Sequence, residues 1–504
     1  MRPTFLGFEA SKSAIYASQK ALDITGNNIA NIGSEGYTRQ RIDQVSVNYI
    51  INSNRGYVNN RITLAGQGTN VLGISQTRDK QLDNAFRKQS GEIGGFSRKS
   101  EMLTDIEDAL QEFDVGDTGN GYGLRNAVSQ LYNALQDLSS DAGSPIYAST
   151  TADAFTQMTY TIRNMSTNLE ETAEKYRGIL EDDVFDVNDY LEKIAALNKQ
   201  IKDAVASFDY TEQYGPNELL DQRNVLIDKL SAYGTVSVVN NSDGTTDVKF
   251  GDRYAVKGIE AERINYHENN DGTVSIKWQS DEAYVDAGNG ILDSTVKILN
   301  GRGVNMQKST ESSEKGILYY RDKLDDFTAR LVSVCNSTIP DQVDASGNVI
   351  SYKKLFGAQM PDGTVLNDMH VTASNIQLSD QLREDVTYLL KNNGGDSDNT
   401  AVLNLVAKLS SEKYDFGDYS GTFEDFVNGY NTTLSGELSY VNSCYDAAVT
   451  AGNVIEKSRE SVVGVSETEE TTNMLTYNRA FQAAARMMTV MDDLLDVIIN
   501  QMAV

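Results

Sequence analysis

Two stripes of apolar residues at seven-residue spacing stand at opposite ends of the chain. Near the start, Phe8, Ile15, Leu22 and Ile29 recur every seven positions, with Ala10, Ala14, Ala17 and Ala21 beside them. Small side chains next to a seam let a second helix approach closely, and a strict repeat of seven favours a left-handed supercoil. Near the end, Met474, Phe481, Met488, Leu495 and Met502 form one seam position, and Tyr477, Ala484, Met491 and Ile498 form the other. A methionine stripe at this spacing reads as packing rather than as a cofactor site. Ser466 is placed as an N-cap, and Glu467, Glu469 and Glu470 follow where a helix dipole favours carboxylates. Burying these C-terminal seam residues yields less than ordering a segment of ~30 residues costs. The terminal helices, free to pack on each other, are therefore expected to be loose in the monomer and to gain order against neighbouring copies.

Between the ends the pattern changes twice. From about Asp79 to Tyr233 the apolar spacing is helical, as where Val187, Leu191, Ile194, Leu197, Ile201 and Val205 fall on one face. From Gly234 to Lys315, "VSVVNN" and "VSIKW" cluster β-branched residues around turns at Asp243-Gly244 and Asp271-Gly272, which predicts a β-rich insert. Helical spacing returns from Gly316 to Ser458. The expected fold is mainly α with a β-rich insert. Residues 1–45 and 459–504 form a terminal coiled-coil domain, 46–233 and 316–458 a long helical bundle, and 234–315 the outer insert. This nested, discontinuous order predicts the termini at one pole and the insert at the other.

Composition narrows the function classes. At 504 residues the chain expects about three or four units, and no apolar run approaches the ~20 residues of a membrane span. A net charge of -28 argues against binding a phosphate backbone, so neither a nucleic-acid nor a membrane partner is expected. Cys335 and Cys444 form no CxxC pair, and His267 and His370 are the only histidines, which leaves little for a zinc site or a histidine-based triad. The first residues lack the apolar core and cleavage site of a Sec-type signal, so any export is expected to use another route. Only five prolines occur, which fits a helix-rich chain and one that can refold without slow prolyl isomerisation.

Three motifs invite chemistry and are set aside. From His267, Asn269, Asp271 and Gly272 mimic calcium-loop positions, but Trp278 stands where the bidentate glutamate belongs, so a hairpin turn is expected. "GQGTNVLG" from Gly66 lacks a Gly-Lys-Ser/Thr ending and is read as a loop. Arg39 and Arg41 beside Tyr37 are read as pairing with carboxylates of an adjacent subunit rather than with nucleic acid.

"GNNIANIGSEGYTRQ" after the alanine-dotted helix resembles the N-terminal signature of flagellar axial proteins, and "GVSETEETTNMLTYNRAFQAAARMMTVMDDLLDVIIN" resembles their C-terminal signature. "NELLDQRNVLIDKLS" at 217–231 and "GILYYRDKLDDFTARL" at 316–331 resemble the hook-associated protein 1 family, the hook-filament junction type. That resemblance implies a structural, non-enzymatic subunit without cofactor or metal. It would be exported unfolded by the flagellar type III apparatus and assembled into an extracellular axial ring. Its neighbours would be hook protein on one side and hook-associated protein 3 on the other. A cytoplasmic export chaperone would contact Met474, Phe481, Met488 and Leu495. Subunit contacts are assigned to both seams and to Asn27, Asn28, Asn31, Tyr37 and Arg39, the asparagines acting as a polar lock between adjacent subunits. Alternatives are another axial protein (hook or distal rod), or a secreted glycan-binding or hydrolytic protein.

Overall fold

The computed structural model describes residues 4–47, 68–110, 123–208, 215–367, 370–390, 399–417 and 419–497. The first helix, α1 (Thr4–Ala30), ends ahead of Gly33, and the chain reverses at Gly36, whose φ of 74° lies in the left-handed region that favours glycine. It then pairs as an antiparallel hairpin, β1 (Gln40–Ser46) with β2 (Thr69–Gln76), Gln40 opposite Gln76, with a bulge between Asp43 and Gln44. The glycine-rich stretch read as a loop is thus mostly strand: from Thr69 on it pairs with β1, but Val71 and Ile74 stand three positions apart and the register skips Leu72, so no period-two signal marks it in the sequence. Gly66 and Gln67 fall outside the described residues.

The helical body is α2 (Lys80–Leu110), α3 (Leu124–Ser140), α4 (Pro145–Phe208) and α5 (Asn217–Tyr233). Pro145 suits the first helical position, where its missing N–H is not needed. Along α4, Val187, Leu191, Ile194 and Ile201 are buried as their spacing predicts, and Val205 is half-buried. A meander follows, β3 (Val236–Asn240), β4 (Thr246–Phe250), β5 (Arg253–Lys257) and β6 (Glu260–Ala261), then the hairpin β7 (Ile264–Glu268) and β8 (Val274–Trp278). Gly244 and Gly272, at φ 84° and 76°, turn the two hairpins, and Asp243 and Asp271 each accept from the hydroxyl of the following threonine. The calcium-loop look-alike is one of these turns. Val248, Phe250, Val256 and Trp278 join the same buried cluster as the α4 face.

After α6 (Ile291–Leu299) and α7 (Ile317–Cys335) the chain departs from the helical reading of 316–458. β9 (Pro340–Val343) pairs with β10 (Val349–Tyr352), and β11 (Phe356–Gln359) lies between β12 (Val365–Leu366) and β13 (Ile376–Leu378). These strands are two to four residues long, too short for alternation to register. Helix then resumes with α8 (Asp380–Glu384), α9 (Asn399–Ser410) and α10 (Phe423–Val463), which packs along α2. Thr422 and Asp425 close a reciprocal capping box on α10. The last helix, α11 (Glu467–Asp496), starts at the expected N-cap, Ser466 accepting from the Glu469 N–H. Among the described residues no helix is long and apolar enough to cross a membrane, and no His/Cys/Asp/Glu group could hold a metal.

Candidate assembly surface

α1 and α11 pack antiparallel: the Cβ position of Gly7 faces Met491 at one end, and Asn28 meets Glu470 at the other. The apolar seam of α11 faces α1 in the expected phase. Ala484 is buried, and Met474, Tyr477, Phe481, Met488, Met491 and Leu495 are half-buried, whereas Ile498 lies outside the described residues. On α1 the buried line is Ser11, Ala17, Ser18, Ala21, Ile24, Thr25 and Asn28. Phe8, Ile15, Leu22 and Ile29 are half-buried along its edge. Small and hydroxyl side chains make the closest approach, with Ser11 and Thr25 returning their hydroxyls to the Gly7 and Ala21 carbonyls of the same helix.

α11 carries a second apolar line that sequence reasoning missed. Ala480, Ala483, Met487, Val490, Leu494 and Val497 follow alternating steps of three and four, and all are exposed; Met487 and Val490 are each 51% accessible. α11 is thus apolar on two faces, of which α1 covers one and leaves the other exposed.

At the base of this pair the residues after α1 form a buried polar joint. The Asn28 carboxamide, 1% exposed, donates to the Gln40 carbonyl (2.9 Å) and Glu470 Oε2 (3.1 Å) and accepts from the Tyr37 hydroxyl (2.8 Å) and the Gln40 N–H (3.1 Å). Asn27 donates to the Tyr37 oxygen (3.3 Å), and Asn31 Nδ2 donates back to the Asn27 carbonyl and Oδ1 (2.9 Å each). Arg39 donates from Nε to Glu470 Oε1 and from Nη1 to Glu469 Oε2 (2.9 Å each). Its backbone N–H bonds the Val463 carbonyl. Arg41 pairs with Asp43 (3.2 Å). The partners of Asn28, Arg39 and Arg41 seen here thus belong to their own chain. Burial first, and then the charge of Asp221, raises the Tyr37 pKa, so the phenol stays a donor to Asn28.

The joint continues into the body. Thr38 donates from N–H (3.1 Å) and hydroxyl (2.5 Å) to Asp221, which also accepts from Gln76 (3.0 Å). Arg78 bonds Asp83 through two nitrogens (3.0 Å each), Arg87 bonds Asp228 (2.7 Å), and Arg459 of α10 bridges Asp83 and Asp228. Burial works against the Asp83 carboxylate, but the Arg78, Arg459 and Arg87 guanidiniums outweigh it and hold its pKa below the ordinary value. Asn217, Asp221, Arg223 and Asp228 all come from "NELLDQRNVLIDKLS", so the wording that carried the family resemblance was the available signal for this network.

A family model described as "Flagellar hook-associated protein FlgK helical domain" matches residues 103–356, half of the chain. The chain belongs to the hook-associated protein FlgK family. The family's helical domain thus takes in α3 to α7 and the strands between them, and other flagellar models match both ends. "Flagella basal body rod protein" matches 8–38, spanning α1 and the asparagine joint, and "Flagellar basal body rod FlgEFG protein C-terminal" matches 460–502, spanning α11. Flagellar hook-associated protein 1 of Bacillus subtilis is 28% identical, covering 100% of this chain and 99% of that one. The Salmonella typhimurium protein of the same name is 22% identical, covering 97% and 98%. A solved hook junction protein from Burkholderia pseudomallei aligns over 55% of this chain and 46% of its own, at 19% identity and a TM-score of 0.42, too partial a match to define the architecture.

Proposed function

We propose that this FlgK-family chain is a structural subunit of the bacterial flagellum that self-assembles at the hook-filament junction and joins hook to filament. The observation that supports this most directly is the doubly apolar α11, held by α1 on one face and open on the other. In a ring of copies the open line Ala480, Ala483, Met487, Val490, Leu494 and Val497 would meet a neighbour, while the in-chain joint at Asn28 and Arg39 fixes the angle at which the pair leaves the body. Hook protein on one side and hook-associated protein 3 on the other are the proposed axial neighbours. During export the segment around Met474, Phe481, Met488 and Leu495, not yet covered by α1, is the proposed chaperone contact. We further propose residues 1–45 with 459–504 as the assembling unit and the 234–315 insert as facing solvent.

Deleting the gene in its host tests the assignment. Intact hooks with flagellin lost to the medium are expected, reversed by the wild-type gene. Absent hooks would reassign the protein to rod or hook, and normal filaments would reject the junction role.

A further inference from the structure

Beside the joint, α2, α5, the end of α4 and the β3–β4 hairpin enclose a cavity of about 370 Å³ lined by Arg78, Arg87, Arg223 and Asn217, with Arg41, Lys80 and one carboxylate, Asp83, also on its wall. In a chain of net charge -28 this concentration of cations is local and unexpected. Arg223 is 6% exposed, and it donates from Nη1 to Asn198 Oδ1 and the Gly244 carbonyl (2.8 Å each). Its Nε is buried without a partner, and among the described residues it meets no carboxylate. Around it, Arg78, Arg87 and Arg459 share Asp83, Asp228 and Asp221, and Arg459 also reaches Glu456 (3.9 Å), so among the described residues Arg223 is the member of this arginine group that has no carboxylate partner. A buried charge without a counter-charge is costly, and a cavity at its side gives an anion room to supply one. Burial and then the Arg87 and Arg78 charges lower the Arg223 pKa to about 10, with no carboxylate acting on it to offset them. On the same cavity Asn217 Oδ1 is buried without a donor. Hydrogen phosphate presents charged acceptor oxygens and one O–H donor, so it answers both the cation and the orphan acceptor.

We propose that this cavity binds hydrogen phosphate, or a phosphate monoester in its singly protonated form, with Arg223 as its buried counter-charge and Asn217 accepting from the phosphate O–H. Bound there, the group would tie α5 to the β3–β4 hairpin and to Arg78 and Arg87 of the joint. The test is calorimetric titration of the full-length protein with inorganic phosphate and, separately, with glycerol 2-phosphate, at ionic strength held constant with sodium chloride. A saturable response, with a matching rise in melting temperature, is expected for at least one of them. Tighter binding of the ester would identify a monoester as the ligand; equal or weaker binding would identify free phosphate. Arg223→Met should weaken binding at least tenfold. Should that variant fail to fold, Lys80→Glu at the exposed rim should weaken it several-fold with the fold intact. No saturable response in the wild type, or a response unchanged by Arg223→Met and Lys80→Glu, would overturn the proposal.

Discussion

Replacing Asn28 with alanine would take a donor from the Gln40 carbonyl and from Glu470, and an acceptor from the Tyr37 hydroxyl and the Gln40 N–H. Each buried group left unpaired costs roughly 1–3 kcal/mol, so Asn28→Ala should lower stability by about 3 kcal/mol in urea denaturation. A loss under about 0.5 kcal/mol would show that water replaces the carboxamide. Asn28→Asp should be worse, because it sets a carboxylate against Glu470, 2% exposed. Asp221 gives a pH signature at the same joint. Burial, opposed by the Thr38 donors and the Arg78 charge, pushes its pKa from 3.8 up to about 6. The folded state therefore holds this proton more tightly than the unfolded state. Its stabilising contribution is full below about pH 4 and is lost as pH rises through about 6. Denaturation midpoints between pH 4 and 7 should show a downward slope in the wild type that Asp221→Asn removes. Equal slopes in the two proteins would disprove a raised native pKa.

In the proposed assembly the two faces of α11 separate folding from association. Met487→Lys, Val490→Lys and Leu494→Lys place charge on exposed positions, so each should leave the melting temperature of the isolated chain within the small range typical of surface changes while suppressing self-association. Phe481→Lys instead charges the face packed on α1 and should destabilise the chain itself. Sedimentation and thermal melts made in parallel distinguish the classes, and lysine variants that associate normally would show that the second line is not an interface. The α11 seam was legible because methionines, Phe481 and Leu495 mark it at heptad spacing. Its partner line on α1 was less so, since the residues of closest approach, Ser11, Ser18, Thr25 and Asn28, are polar or small and Phe8, Ile15, Leu22 and Ile29 drew the eye to an edge. The bundle helices and the Asp-Gly hairpins were readable from local period and turn chemistry. β9 to β13 were not, because two- to four-residue strands leave no period. The joint was hidden for another reason: Arg39 with Glu470 and Arg459 with Asp83 pair across more than 370 positions, and each alone looks like an ordinary solvated charge.

For the whole molecule, 72 acidic against 44 basic residues make copies repel. Several of the cations that could bind a neighbour's carboxylates are already engaged within the chain: Arg39 with Glu469 and Glu470, Arg87 with Asp228, Arg459 with Asp83. In the proposed assembly, association then depends on apolar contact along α11 made against a like-charge background. Salt leaves the apolar contact largely untouched but shortens the screening length from ~30 Å at 0.01 M to ~8 Å at 0.15 M. Self-association should therefore strengthen over that range, and light scattering at fixed protein concentration would show larger particles at the higher salt. The Met487→Lys variant should gain little, because screening cannot restore an apolar seam that carries a charge. If scattering from the wild type falls as salt rises, opposite-charge pairs between copies dominate, and the surface that joins them lies away from the open face of α11.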